Sequence, residues 1–151
     1  MVDGFGRDWS VLRKAHHNEG ELQQEPKLTD AQVQEMLDSG LVELGSHSMT
    51  HANFMSLDAS TAEQELRESK QRLEQTFGIQ VGSFAWPFGL FRHSQVELVR
   101  RVGYSSCVTT REGIDSLQQR NPMQLRRIKI SGRDGRLAFV LRMRTGRRGW
   151  L

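Results

Sequence analysis

A chain of 151 residues with 36% hydrophobic and 26% charged residues has single-domain size and the makeup of a folded protein, not a disordered one. Its apolar runs fall well short of the roughly 20 residues that span a bilayer, and the opening MVDGFGRDWS lacks the basic head and apolar stretch of a secretory signal. The net charge of +3 is moderate, and a single cysteine, Cys107, excludes an intrachain disulfide, so the chain as written reads as cytoplasmic.

Residues 1–27 read as an irregular segment, with HHNEGELQQEP from His16 to Pro26 as a mobile loop. Thr29 with Gln32 forms a capping box for a helix whose Ala31, Val33, Met36 and Leu37 are apolar, up to Gly40. Leu41–Gly45 (LVELG) reads as a buried strand. Ser60 with Glu63 caps a second helix, with Ala62, Leu66, Leu73 and Phe77 on one face and Gly78 closing it. VGSFAW, from Val81, is strand-like and stops at Pro87. Ser94 with Glu97 opens a third helix through Val96, Val99 and Val102, ended by Gly103. Tyr104 to Thr109 and Gln124 to Ile130 are two further strands. Helices alternating with strands at this spacing predict β–α units and a mostly parallel sheet or barrel.

Ten of the 21 Lys and Arg residues fall between Arg120 and Leu151, against one acid, Asp134. A basic segment fits nucleic acid or an anionic surface. These bases interleave with apolar residues and carry no nucleic-acid motif or aromatic ladder, which favours a solvated or anion-facing surface.

In parallel α/β architectures, sites gather where strands end. His47 and His51 follow the Leu41–Gly45 strand in GSHSMTH. Two imidazoles four residues apart can converge on a divalent metal if the turn is helical, although zinc ordinarily takes three or more protein ligands. The competing interpretation makes them polar residues of a helix start that Ser46 or Ser48 caps. The second segment is SFAWPFG, Ser83–Gly89. Trp86 and Phe88 could stack on sugar faces, and a turn N–H could face an oxyanion. Alternatively, it is an ordinary strand-to-loop turn with two core aromatics.

The run from Leu28 to Gly89 resembles the polysaccharide deacetylases, carbohydrate esterases that remove N-acetyl groups from amino-sugar polymers. The order of motifs carries the likeness: a strand ending in Gly, then H-S-x-x-H (His47 to His51), then a helix with E-x-x-x-S-K (Glu65, Ser69, Lys70), then F-A-W-P-F-G. The last motif is closest to the branch that reads F-A-Y-P-F-G. RRVGYSSCVTT is similar to the family's next helix and strand, extending the likeness to about Ile130.

The resemblance implies an incomplete, distorted (β/α) barrel over residues 28–142, followed by a basic tail, 143–151. It implies a divalent metal, usually zinc and sometimes cobalt, nickel or iron, held by an Asp with His47 and His51. Activated water would then attack an acetyl group. Trp86, Pro87 and Phe88 would contact an N-acetylated polysaccharide or oligosaccharide, and the Phe88 backbone N–H would support the oxyanion.

The sequence also departs from the family pattern. The paired Asp of a T-F-D-D type motif has no match before Leu28, and Asp3 in VDGFG has no strand to place it. Ala85 stands where some branches carry Arg. No histidine follows His93 to match the family's late acid, and His93, His16 and His17 read as surface residues. The expectation is therefore an N-terminally truncated deacetylase that is weak or inactive alone, self-associates through an open sheet edge, and in complete form is exported or envelope-associated. The alternatives are a degenerate member that binds carbohydrate without cleaving it and, third, a nucleic-acid- or anion-binding protein.

Overall fold

A computed structural model describes residues 28–118, 120–132 and 134–146. Asp3, His16, His17 and the 147–151 part of the basic tail lie outside these residues. The elements run α1 (Asp30–Asp38), α2 (Ala59–Phe77), β1 (Ser83–Ala85), α3 (His93–Val102), β2 (Ser106–Glu112), β3 (Leu125–Arg127) and α4 (Arg136–Thr145), with short 3-10 turns at Phe54–Ser56, Pro87–Gly89 and Pro122–Gln124. The strands form an open, wholly parallel sheet in the order β1-β2-β3, with Phe84 opposite Cys107 and Val108 opposite Leu125. This is the α/β class expected.

The helix starts show where local signals compete. Thr29 caps α1 as expected, accepting from the Gln32 amide while the Gln32 side chain accepts from the Thr29 N–H. The α2 cap is Asp58, not Ser60. Its carboxylate accepts from the Thr61 amide at 2.8 Å and from the Ser60 and Thr61 hydroxyls. An ionised acceptor at the positive end of a helix outcompetes a neutral hydroxyl, so α2 begins earlier. Those same bonds hold the Asp58 carboxyl down at about 2. α3 likewise starts before Ser94, because the Gln95 side chain reaches back to the Arg92 N–H at 2.8 Å.

The core lies between the sheet and α2–α3, where Phe54, Leu66, Phe84, Trp86, Val99 and Tyr104 are buried against one another. Phe84 meets Phe54 and Trp86 edge-on at 5.8 and 5.2 Å, the favoured arrangement for aromatic quadrupoles.

Three strand expectations are corrected. Leu41–Gly45 is not a ladder strand: Leu41 is 90% exposed, and pairing reduces to one parallel bridge from Ser46 to Phe84. Glu43 in its middle reaches the Ser83 hydroxyl at 2.7 Å, so the segment is an edge with one covered face. Tyr104 precedes its strand because its side chain is committed to the core, where its hydroxyl donates to Leu66 O at 2.9 Å. The Gln124–Ile130 strand shrinks to Leu125–Arg127, preceded by a 3-10 turn that Asn121 caps and followed by a half-exposed Ile130.

The basic C-terminal region folds into α4, which runs through Thr145 across the expected 142/143 boundary. It is inverted relative to an ordinary amphipathic helix. Arg142 is buried, paired with Asp134 at 2.7 Å and donating to Lys129 O, while Leu137, Phe139 and Met143 are exposed. Asp134, the one acid of the segment, is thus already engaged. No helix among the described residues is long and apolar enough to cross a membrane.

Candidate metal centre

Both candidate segments sit at the same end of the sheet because the Ser46 bridge fastens one to the other. The Ser46 N–H donates to Ser83 O at 2.9 Å, and Ser46 O accepts from the Ala85 N–H at 2.8 Å. His47 therefore emerges beside the end of β1, and its Nδ1 lies 2.7 Å from Ala85 O. A carbonyl can only accept, so the proton is on Nδ1 and the lone pair is on Nε2, the tautomer a metal ligand needs. Ala85 serves through its main chain, so the side chain at this position does not matter to the bond.

Burial lowers the pKa of His47 to about 4. The Ala85 carbonyl opposes that shift and the neighbouring His51 adds to it. The ring is thus neutral at pH 7 and can coordinate.

The chain brings His51 back across from His47 by an unusual turn. Ser48 and His51 both have left-handed backbones, with φ of 66° and 59°, a region that non-glycine residues rarely occupy. The outcome is two rings with centroids 4.9 Å apart, meeting edge to face. The two rings are thus neighbours, brought together through these left-handed positions instead of the helical turn anticipated.

The Phe88 ring centroid lies 4.5 Å from that of His51, and the residue is 47% exposed. Phe88 is also left-handed, at φ 58°. Gly89, at φ 69°, follows, and a Cβ there would lie 2.1 Å from Thr110 Oγ1. Only glycine fits where this loop crosses β2.

Trp86 requires a correction. It is 1% exposed, stacked on Phe91 at 4.5 Å and edge-on to Phe54 at 5.3 Å. The indole is a core residue whose faces are already covered, so it offers no surface to a sugar. Pro87 is also buried, leaving Phe88 as the accessible aromatic of the motif. His93, the first residue of α3, is exposed, as expected.

Sequence reading missed the support beneath the site. Ser69 of α2 accepts from the Ser46 hydroxyl at 2.8 Å, whereas Lys70 and Glu74, paired at 3.0 Å, hold Val81 ahead of β1, at the far end of that strand from Ala85 and the histidines. Glu65 accepts from the Met49 and Thr50 amides, both at 2.9 Å. The signal was visible in E-x-x-x-S-K: Glu65 and Ser69 are one turn apart and share a side of α2.

Two neighbouring imidazoles, with His47 neutral, fit part of a divalent metal site. Among the described residues no group of three or more His, Cys, Asp or Glu could hold an ion. The 410 Å³ cleft lined by Gln34, Asp38, Val42 and Phe77 is formed by α1, the end of α2 and the segment before Ser46, and includes neither histidine.

The polysaccharide deacetylase family matches residues 13–107. The match thus begins within the expected irregular segment 1–27, ahead of the His16–Pro26 loop, and stops short of Ile130. No curated protein matches the chain. Among solved structures, a Bacillus anthracis protein described as a polysaccharide deacetylase is similar at 30% identity and TM-score 0.60, over 69% of this chain and 33% of its own. A Bacillus cereus polysaccharide deacetylase is similar at 29% identity and TM-score 0.60, over the same shares. A Streptococcus pyogenes deacetylase, solved in complex with acetate, reaches TM-score 0.65 at 26% identity, over 71% of this chain and 46% of its own. The chain spans a third to a half of the length of these relatives. With its motifs in order and most of its length matched, the chain belongs to the polysaccharide deacetylase family.

Proposed function

We propose that this chain carries part of the metal centre and the substrate-facing loop of an enzyme that hydrolyses N-acetyl groups on an amino-sugar polymer. The observation that carries the reading is the His47–His51 pair. One ring is held by Ala85 O in the tautomer that leaves Nε2 unprotonated, and the other is set 4.9 Å away. Acetate bound to the Streptococcus pyogenes deacetylase is the product such a reaction would release.

His47 and His51 would hold a divalent ion, zinc by preference of imidazole donors, with cobalt, nickel or iron as alternatives. When bound, that ion supplies Lewis-acid polarisation and an activated water. The remaining tasks fall to this chain's own groups. Phe88 presents an exposed ring beside His51, suited to the apolar face of a sugar, and its main-chain N–H is assigned to the oxyanion. His47 keeps its Nδ1 proton on Ala85 O, so its ring stays oriented and does not serve as the base. The further carboxylate ligand and the general base lie outside the described residues, and the isolated chain should bind zinc weakly and turn over slowly.

The test compares the wild-type chain with His47→Ala and His51→Ala. Zinc titration followed by the histidine ring resonances should show a response in the wild type that either substitution abolishes. Acetate release from an N-acetylglucosamine oligomer should be slow. A zinc response that ignores both histidines would overturn the metal reading. Oligomer binding with no acetate release under any metal would favour the non-catalytic carbohydrate-binding alternative.

A further inference from the structure

Two features of the His47–His51 turn demand an external support. It contains two left-handed non-glycine residues, a conformation that is disfavoured and persists only where surroundings enforce it. It also has two amides, of Met49 and Thr50, that find their acceptor on α2 and not on the sheet. Both needs are met by one side chain. Glu65 Oε2 accepts from the Met49 and Thr50 N–H groups at 2.9 Å each, and Glu65 Oε1 accepts from the Thr50 hydroxyl at 2.7 Å.

We propose that Glu65 is a positioning residue whose ionised carboxylate clamps the 48–50 turn and thereby sets the two histidine rings to face each other. The inference rests on the metal-centre reading above, although the clamp itself does not. A carboxylate suits the task for a specific reason. Its two oxygens are both acceptors, so three donors converge on it without conflict, and charge-assisted bonds are roughly twice as strong as neutral ones. Glutamine has the same shape but no charge: its NH₂ can face the Thr50 hydroxyl only by making that hydroxyl the acceptor, and the two amide bonds that remain become neutral and weaker. The clamp is rooted in a rigid place: the next residue, Leu66, is fully buried in the core, and Asp58 caps the start of the same helix. Since Glu65 touches neither histidine in these bonds, its effect must pass through the backbone at 48–50.

The experiment uses Glu65→Gln in the full chain, with Thr50→Val as a milder variant that keeps the two amide bonds. Glu74→Gln is the control. It removes a comparable carboxylate from the same helix, one that accepts from the Val81 amide instead. Three readouts are taken by NMR: exchange of the Met49 and Thr50 amides, the nuclear Overhauser contact between the His47 and His51 rings, and titration with zinc alone. Glu65→Gln should speed exchange at Met49 and Thr50 at least about tenfold, lose the ring–ring contact, and weaken zinc binding about tenfold, the low end of what orienting residues around metal ligands contribute. Thr50→Val should show the same changes at smaller size. Glu74→Gln should leave all three site readouts unchanged, even with an equal drop in melting temperature. Unchanged amide exchange, or an intact ring contact, in Glu65→Gln overturns the proposal, as does an equal loss in Glu74→Gln. If wild-type zinc binding proves independent of His47 and His51, the metal reading fails, and the ring–ring contact alone then decides whether Glu65 positions the pair.

Discussion

The two loops at the mouth of the sheet reach the same kind of backbone by opposite means. The histidine turn, 47–51, uses left-handed Ser48 and His51 and is held from outside by a carboxylate on α2. The aromatic loop, 86–90, uses left-handed Phe88 and Gly89 and is held from inside, by a buried indole at its start and by contact with Thr110. A turn fixed by hydrogen bonds depends on one acceptor's chemistry. A turn fixed by packing depends on volume, down to a single hydrogen. The contrast explains why a part-buried, strained loop can still present a defined ring pair.

The sharpest way to break the comparison is Trp86→Ala. If packing holds the aromatic loop, removing a fully buried indole should destabilise the chain by about 3–5 kcal/mol, read from urea denaturation. A loss under about 1 kcal/mol would mean the loop does not rely on its core anchor. Gly89→Ala comes next. The new Cβ would lie 2.1 Å from Thr110 Oγ1 on a backbone that L-residues avoid, so a cost of about 2–4 kcal/mol is expected. Gly40→Ala makes the paired test: φ there is 69° too, but nothing lies within 4 Å of the added Cβ, so only the smaller conformational penalty of about 1 kcal/mol should appear. Equal costs at the two glycines would refute the role given to Thr110.

A smaller effect probes the helix that carries the histidine clamp. Asp58→Ala removes the α2 cap and should lower Tm by about 2–4 °C. The sign with pH follows from the depressed carboxyl. Its folded value of about 2 lies below the ordinary 3.8, so its contribution is complete above roughly pH 4 and fades as pH falls towards 2. The Tm gap between wild type and variant should therefore close on acidification through that window. A gap that persists at pH 2 would assign the stabilisation to something other than the charge. The smallest change is expected for Phe88→Ala. With its ring about half exposed, truncation should cost under about 1 kcal/mol in stability while weakening binding of an N-acetylglucosamine oligomer. Unchanged oligomer binding would remove Phe88 from the substrate surface.

What could be read from the linear chain followed from local rules. Thr29 with Gln32, Gly78 and Gly103 marked helix ends because capping and left-handed closure depend on neighbours in sequence. The alternation of elements and the order of motifs pointed to a parallel sheet and to His47 and His51. Tertiary structure decided the rest, because each remaining choice compared partners distant in sequence. Trp86 and Phe88 look alike two residues apart, yet one is enclosed by Phe54, Phe84 and Phe91 while the other borders His51. Apolar Leu41 lies exposed because the Ser46–Phe84 bridge is the extent of its segment's pairing with β1. Glu65 resembles any solvated helix carboxylate until the 48–50 turn is laid against it. Burial and hydrogen bonding depend on which surfaces meet, and residues 15 to 40 positions apart are brought together only by the fold.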